Sequence, residues 1–265
     1  MMKTILKTIY YAFLAFMWWV TGMLSMKKRK KEIYVLMYHA VAETSWKYAV
    51  SPEAFTEQIA YIARTMHPVT LEDIVRYVRG EDRIPDSSVA LTFDDGYADI
   101  EHVVLPLLEK YRIHATIFLT TNLKPNPAFG GVPRLSEEMV CELAKHPLLS
   151  FQIHGRTHAN VTTLGDVDLK NEILGCREDI LRLTGENPDL YAYASGHRNK
   201  RVSDFLEAQG IRAAFGITQG LVRKGDDPYA IKRIQVDGTM PFSLFVLRLT
   251  GAVVIAQRLK KLLRK

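Results

Sequence analysis

Leu91-Thr92-Phe93-Asp94-Asp95-Gly96-Tyr97 ends an apolar run that begins at Val89 and places two adjacent carboxylates where a strand gives way to a turn. Gly96 supplies the backbone freedom for that turn. Neighbouring carboxylates repel each other. They are tolerated where a cation neutralises one and the other exchanges a proton with water, dividing the pair into a ligand and a general base. A solvated turn capping the next helix accommodates Asp-Asp-Gly equally well, so the pair gains its meaning from the rest of the chain.

Further short apolar, β-branched runs occur at Ile33–His39, Ala115–Thr121, Leu149–Ile153, Leu190–Tyr193, Ala213–Ile217 and Tyr229–Val236. Between them, helical periodicity predicts helices over Pro52–Thr65, Leu71–Arg79, Ala98–Tyr111, Ser136–Lys145, Asp166–Thr184 and Lys200–Gln209, several opened by a Ser, Asp or Asn cap. The alternation predicts βα units. No Gly-rich phosphate loop follows the first strand, which argues against an open nucleotide-binding sheet. The expectation is an α/β fold, a distorted (β/α) barrel of about seven strands with its chemistry at the strand C-termini.

His154-Gly155-Arg156-Thr157-His158 follows the next strand but one after Asp95. The four-residue spacing predicts both imidazoles on one face of a helical turn. Gly155 stands where the His-Glu-x-x-His pattern of zinc proteases needs its glutamate base, which excludes that chemistry. Alone, the two histidines fit surface or capping positions as well as a site. With Asp95 they complete two histidines and one carboxylate, a donor set that leaves positions open for water and substrate, as hydrolytic zinc requires.

Composition sets the frame for this centre. The 265 residues fit one catalytic domain with appendages. Hydrophobic residues are 48% and charged residues 24%, ordinary for a globular protein, which argues against disorder and excludes a polytopic membrane protein. The formal charge of +6 is concentrated in Lys27-Lys28-Arg29-Lys30-Lys31 and around Arg258, Lys260, Lys261, Arg264 and Lys265. No aromatic-interleaved basic patch accompanies them, so a membrane surface is favoured over nucleic acid as their partner. Cys141 and Cys176 form neither a disulfide framework nor a zinc–cysteine pattern.

Ile9 to Met26 is uncharged and mostly apolar, carries Tyr10, Tyr11, Trp18 and Trp19, and follows Lys3 and Lys7. It reads as a membrane anchor. A cleaved signal peptide is the alternative, disfavoured by the length of the run and by a poor small-residue cleavage site. The heavier basic flank after the span favours a cytoplasmic domain, while a domain outside the cytoplasm is the other expectation, since a short N-terminal anchor can be exported against such a bias. From Pro241 to Arg264 a basic amphipathic helix is expected, either packed on the domain or docked on a membrane surface. The expected divisions are 1–31, 32–240 and 241–265, with the catalytic domain in the middle.

Several of these segments also resemble the polysaccharide deacetylases of carbohydrate esterase family four, the NodB-homology domain. The resemblance begins at Val35-Leu36-Met37-Tyr38-His39-Ala40-Val41, continues through Val50-Ser51-Pro52-Glu53-Ala54-Phe55, and is densest from Leu91 to Thr121. It resumes at His154–His158 and weakens from Tyr191 to Asp237. It implies that Asp95, His154 and His158 bind zinc or a similar divalent ion and that Asp94 is the general base. It also implies hydrolysis of N-acetyl groups on a glycan (polysaccharide, peptidoglycan or lipid-linked sugar), releasing acetate and a free amine.

The chain departs from the family pattern at Tyr191-Ala192-Tyr193-Ala194-Ser195-Gly196, where Ala194 and Ser195 replace a proline and a second tyrosine. Ser195 can still offer its backbone N–H to an oxyanion, although without the proline ring to fix the turn. Gln152 and Ile153 stand where small residues precede the first histidine, which is expected to reshape the pocket. The late histidine that donates a proton in many relatives is missing, since no histidine follows His197. His197 is therefore the candidate general acid, with His39 as the other possibility, and Arg156 and Arg198 are candidates for contact with glycan or Asp94. Against active hydrolysis stand a weak or inactive glycan-binding relative, suggested by Ala194 and Ser195, and a membrane-anchored structural partner, which accounts only for the ends. Oligomeric state is not legible.

Overall fold

The computed structural model describes residues 32–122 and 131–249. The expected anchor at 1–31, and the part of the expected C-terminal helix beyond 249, lie outside the described residues. Along the chain the strands are Tyr34–Tyr38 (β1), Ala40–Val41 (β2), Ala49–Val50 (β3), His67–Pro68 (β4), Ser88–Asp95 (β5), Ala115–Leu119 (β6), Leu149–Ile153 (β7), Leu190–Ala192 (β8), Ala213–Phe215 (β9) and Ile234–Gln235 (β10). The α-helices are Pro52–Thr65 (α1), Leu71–Arg79 (α2), Leu105–Tyr111 (α3), Glu137–Leu143 (α4), Asp166–Lys170 (α5), Cys176–Thr184 (α6), Lys200–Ala208 (α7) and Phe242–Arg248 (α8).

All eight residues of β5 are buried, because the strand lies between β1 and β6 and is covered on both faces. Such enclosure explains why Val89-Ala90-Leu91 and Phe93 make the strand mostly apolar rather than alternating. The main sheet runs β10-β1-β5-β6-β7-β8-β9, with every one of these pairs parallel and β4 paired to the start of β5. Its two ends meet through Ile231, which bridges Phe215. The Ile231 N–H donates to the Ala214 carbonyl, and its own carbonyl accepts from the Gly216 N–H, each at 3.0 Å. The sheet thus curls into the distorted (β/α) barrel that was expected.

The expected strand over Tyr229–Val236 is cut down to β10 and that single bridge. Asp227 Oδ1 takes the Tyr229 N–H at 2.8 Å, and the Arg233 N–H goes to the Thr218 carbonyl at 3.2 Å, so neither donor serves a sheet ladder.

Strand alternation sorts the barrel into two layers. Leu36, Leu91, Phe93, Ile117, Phe151 and Tyr191 belong to the larger cluster, which they share with Phe55, Ile59 and Ile62 of α1. Val35, Ala90, Phe118, Ala192, Phe215 and Ile231 form the second cluster with Leu71, Ile74, Val75 and Val78 of α2. The first two helices are set by local chemistry: Ser51 caps α1 by accepting from the Ala54 N–H, and Thr70 forms a capping box with Asp73 at α2.

Two helices expected to be continuous are not. Ala98–Tyr111 contains a π turn at Ile100–Val104 before α3, and Asp166–Thr184 contains another at Asn171–Gly175 between α5 and α6. In the first, Pro106 lacks an N–H and its ring would press on the carbonyl four residues back. The chain answers with a wider turn in which the Leu105 N–H reaches the Ile100 carbonyl.

Candidate active site

Asp94, Asp95, His154 and His158 meet in a cleft of about 250 Å³ at the C-terminal ends of the strands, lined also by His39 after β1, Ser195 after β8 and Ile217 after β9. Alternation along β5 would send two consecutive carboxylates to opposite faces. Asp95 escapes that rule with φ +76, a left-handed conformation rare outside glycine, followed at once by Gly96 at φ +76. A Cβ on Gly96 would lie 2.4 Å from Leu119 Cδ1, so only glycine fits the turn. Arg134 Nη1 holds it by donating to the Asp95 carbonyl at 3.0 Å, and its guanidinium lies 3.9 Å from the Tyr97 ring centroid.

Asp94 is 2% exposed and is gripped by Arg233, itself fully buried, through two parallel bonds: Nη1 to Oδ1 at 2.7 Å and Nη2 to Oδ2 at 2.8 Å. Arg233 Nε donates to the Gly216 carbonyl at 3.0 Å, and Nη1 also reaches Thr92 Oγ1 at 3.2 Å. Burial pushes the Asp94 carboxyl up, but the charges of Arg233 and His154 and the Arg233 hydrogen bonds outweigh it and hold the group below the ordinary carboxylate range. The result is an ionised, oriented acceptor at neutral pH.

His154 Nδ1 lies 2.8 Å from the Ala192 carbonyl. A carbonyl only accepts, so Nδ1 carries the proton and the ring is fixed with Nε2 towards Asp95 Oδ1, 3.4 Å away. His158 Nε2 lies 3.6 Å from the same oxygen. One ligand atom from each of Asp95, His154 and His158 falls within 4.8 Å of the others, and Asp95 Oδ1 is buried without a hydrogen bond. Two imidazole nitrogens converging on an unsatisfied carboxylate oxygen fit a divalent cation. Burial raises Asp95, but the neighbouring imidazoles of His154, His39 and His158 outweigh it and hold its carboxyl well below the usual range. Burial lowers His154, and Asp94 and Asp95 outweigh it, so its pKa is raised; His158 is lowered by burial and by His154.

The structure corrects four details. His154–His158 is a loop rather than a helical turn, with Gly155 at φ +98 and His158 at φ +62. His197 is exposed and absent from the cleft lining, because the turn at Ala194–Gly196 carries the chain away after Ser195; His39 lies inside, with Nδ1 buried and without a hydrogen bond. Arg156 pairs with Asp179 at 3.0 Å and leaves Asp94 to Arg233. Gln152 Oε1 accepts the N–H groups of Asp189 and Leu190, which draws it away from the pocket it was expected to narrow, and Ile153 is buried in the core.

Backbone hydrogen bonds hold the Ser195 turn in the absence of a proline. Gly196 N–H donates to the Tyr193 carbonyl at 2.9 Å and His197 N–H to the Ala194 carbonyl at 3.2 Å, which leaves Ser195 at φ +52 on the cleft wall. On the opposite side His39 packs 5.1 Å from Tyr48 and 6.0 Å from Trp46, ring centre to ring centre. Arg233 was missed by sequence reasoning. Its one signal was alternation, since Arg233 shares the strand face of Ile231 and Gln235 while Lys232 falls on the other.

A family model described as polysaccharide deacetylase matches residues 81–214. The chain belongs to the polysaccharide deacetylase family. This deacetylase is accordingly a hydrolase of amide carbon–nitrogen bonds. It is 26% identical over 198 residues to a poly-β-1,6-N-acetyl-D-glucosamine N-deacetylase of Staphylococcus epidermidis, covering 71% of this chain and 68% of that one. Its fold matches IcaB from Ammonifex degensii with a TM-score of 0.75 at 23% identity, covering 84% of this chain and 98% of the other. The Streptococcus pyogenes deacetylase PplD, solved with acetate, matches with a TM-score of 0.72 at 21% identity, over 83% and 99% of the two chains.

Proposed function

We propose that this chain removes N-acetyl groups from a polymer of N-acetylglucosamine, with poly-β-1,6-N-acetylglucosamine the favoured class, and that it does so with a divalent ion, zinc first, held by Asp95, His154 and His158. The observation that carries this reading is the convergence of those three side chains beside a buried Asp94 whose two oxygens are fixed by Arg233. The name of the staphylococcal relative supports the choice of glycan. When bound, the ion supplies Lewis-acid polarisation of the acetamide carbonyl and of the attacking water.

The chain's own residues carry the remaining steps. Asp94 takes the proton of the water as general base, its orientation set by Arg233. Ser195 offers its backbone N–H from the cleft wall to the oxygen of the tetrahedral intermediate. His39 relays a proton to the leaving nitrogen: burial, only partly offset by Asp94 and Asp95, lowers its pKa and keeps the resting ring neutral, so that it passes on the proton that Asp94 has taken from the water. The C–N bond then breaks to acetate and a free amine. Trp46 and Tyr48 present ring surface to a sugar at the same cleft.

For localisation, we propose that 1–31 anchors the catalytic domain at a membrane with the domain outside the cytoplasm, supported by the apolar run Ile9–Met26. Protease treatment of intact cells tests it, and a fully protected domain rejects it.

Acetate release by the purified protein on β-1,6-linked N-acetylglucosamine oligomers, with and without added zinc, tests the activity, with Asp94→Asn as control. Zinc-dependent release absent from Asp94→Asn is the expected result. No release from folded, metal-loaded protein on these oligomers, on chitin oligomers or on peptidoglycan would favour a glycan-binding role instead.

A further inference from the structure

Glu172 lies in the π turn Asn171–Gly175 and is 5% exposed. A buried carboxylate must find donors, and this one takes them from the His154–His158 loop. Oε1 accepts the N–H of Thr157 at 2.9 Å and the N–H of Ala159 at 3.3 Å, while Oε2 accepts the Thr157 hydroxyl at 2.9 Å. Its backbone carbonyl accepts the Arg156 N–H at 3.0 Å. The residues on either side of His158 therefore hang from one carboxylate oxygen.

That placement matters because His158 holds φ +62, a left-handed conformation that a non-glycine residue keeps only where its surroundings impose it. The loop has no helical ladder of its own to maintain it. Gly155 completes the fit: at φ +98, a Cβ there would stand 2.5 Å from Glu172 Oε1, so the carboxylate occupies the space that a side chain would need.

We propose that Glu172 is a positioning residue for the cation site, fixing the direction in which His158 presents Nε2 to the point shared with Asp95 and His154. The proposal rests on the metal-site reading given above. Asp179 is the internal control. It grips the same loop through Arg156 Nε at 3.0 Å, and also accepts the Thr121 hydroxyl beyond the end of β6 at 2.7 Å, without touching the N–H groups that flank His158.

The test is Co²⁺ binding by the full chain, read as an apparent Kd by chelator competition and as the visible absorption of the bound ion, with thermal unfolding followed alongside. Glu172→Ala is expected to weaken binding about 10- to 100-fold and to change the absorption. Glu172→Gln should stay within about threefold of the parent, since its amide oxygen still accepts both N–H groups, and Asp179→Asn within about twofold. If Glu172→Ala does not fold, Glu172→Asp takes its place, its shorter reach breaking the same bonds with the charge kept. Parent-like affinity and absorption in the Ala or Asp variant overturn the proposal, as does equal weakening in Asp179→Asn. A parent that binds no Co²⁺, or an Asp95→Ala variant that binds it as well as the parent, removes the metal site and this role with it.

Discussion

Arg233 and Asp94, 139 positions apart in the chain, form a two-pronged ion pair inside the barrel, with neither side chain more than 3% exposed. The pair ties the β5 carboxylate to the segment that closes the sheet. Both partners are desolvated, so neither can be removed without leaving the other unbalanced.

Arg233→Met should therefore lower stability by about 3–5 kcal/mol, the usual consequence of stranding one buried charge, and abolish turnover. Arg233→Lys keeps the charge but cannot reproduce the fork. It should fold with a smaller loss, and kcat should fall about tenfold or more while KM changes little. Urea unfolding and steady-state kinetics on the same preparations check both; a fully active Arg233→Lys would show that orientation of Asp94 is unimportant.

The division of labour between the paired carboxylates has its own signature. Asp95→Ala and His158→Ala should lose bound zinc, whereas Asp94→Asn should retain it and lose turnover. Metal analysis after dialysis decides the first point and acetate release the second. Turnover surviving in Asp94→Asn would remove Asp94 as the base.

For the proton donor, His39→Gln should reduce kcat about 10²- to 10⁴-fold with zinc content unchanged, the range for loss of a general acid. His197→Gln, altered on an exposed loop, should behave like the parent. The reverse ranking would return the role to His197.

Asp99 makes a pH prediction. Burial, partly opposed by the hydrogen bond from the Val41 N–H, raises its carboxyl from 3.8 to about 6. A raised carboxyl binds its proton more tightly in the folded chain than in the unfolded one, so stability falls as pH rises from about 4 through 6 and the loss is complete above that window. Asp99→Asn keeps an acceptor for Val41 and cannot ionise. It should add up to about 3 kcal/mol at pH 8 and almost nothing at pH 4, seen as a higher Tm only at the upper pH.

Much of this was legible because it is local. α1, α2 and β7 coincide with their predicted bounds. Ser51, Thr70 and the apolar periodicity act within a few residues of the structure that they specify. The cleft's donor set was legible for a related reason: strand ends carry their polar residues in short motifs. What was not legible depends on distance. The first π turn answers to Pro106, which lies beyond it. Arg233 reaches Asp94 only when segments 139 positions apart come together, and Glu172 finds its partners only when its turn folds back on the His154–His158 loop. His197 was chosen by adjacency to Gly196, and adjacency in the chain says nothing about the direction taken after a left-handed Ser195.

The thin seam at Ile231 also bears on how the site can fail. Arg233 stands just beyond that bridge, so a change that opened the seam would release Arg233 from Asp94 without touching β5 itself. The carboxylate would then be left as an unbalanced buried charge. A centre assembled across a seam is only as firm as the bridge that closes it.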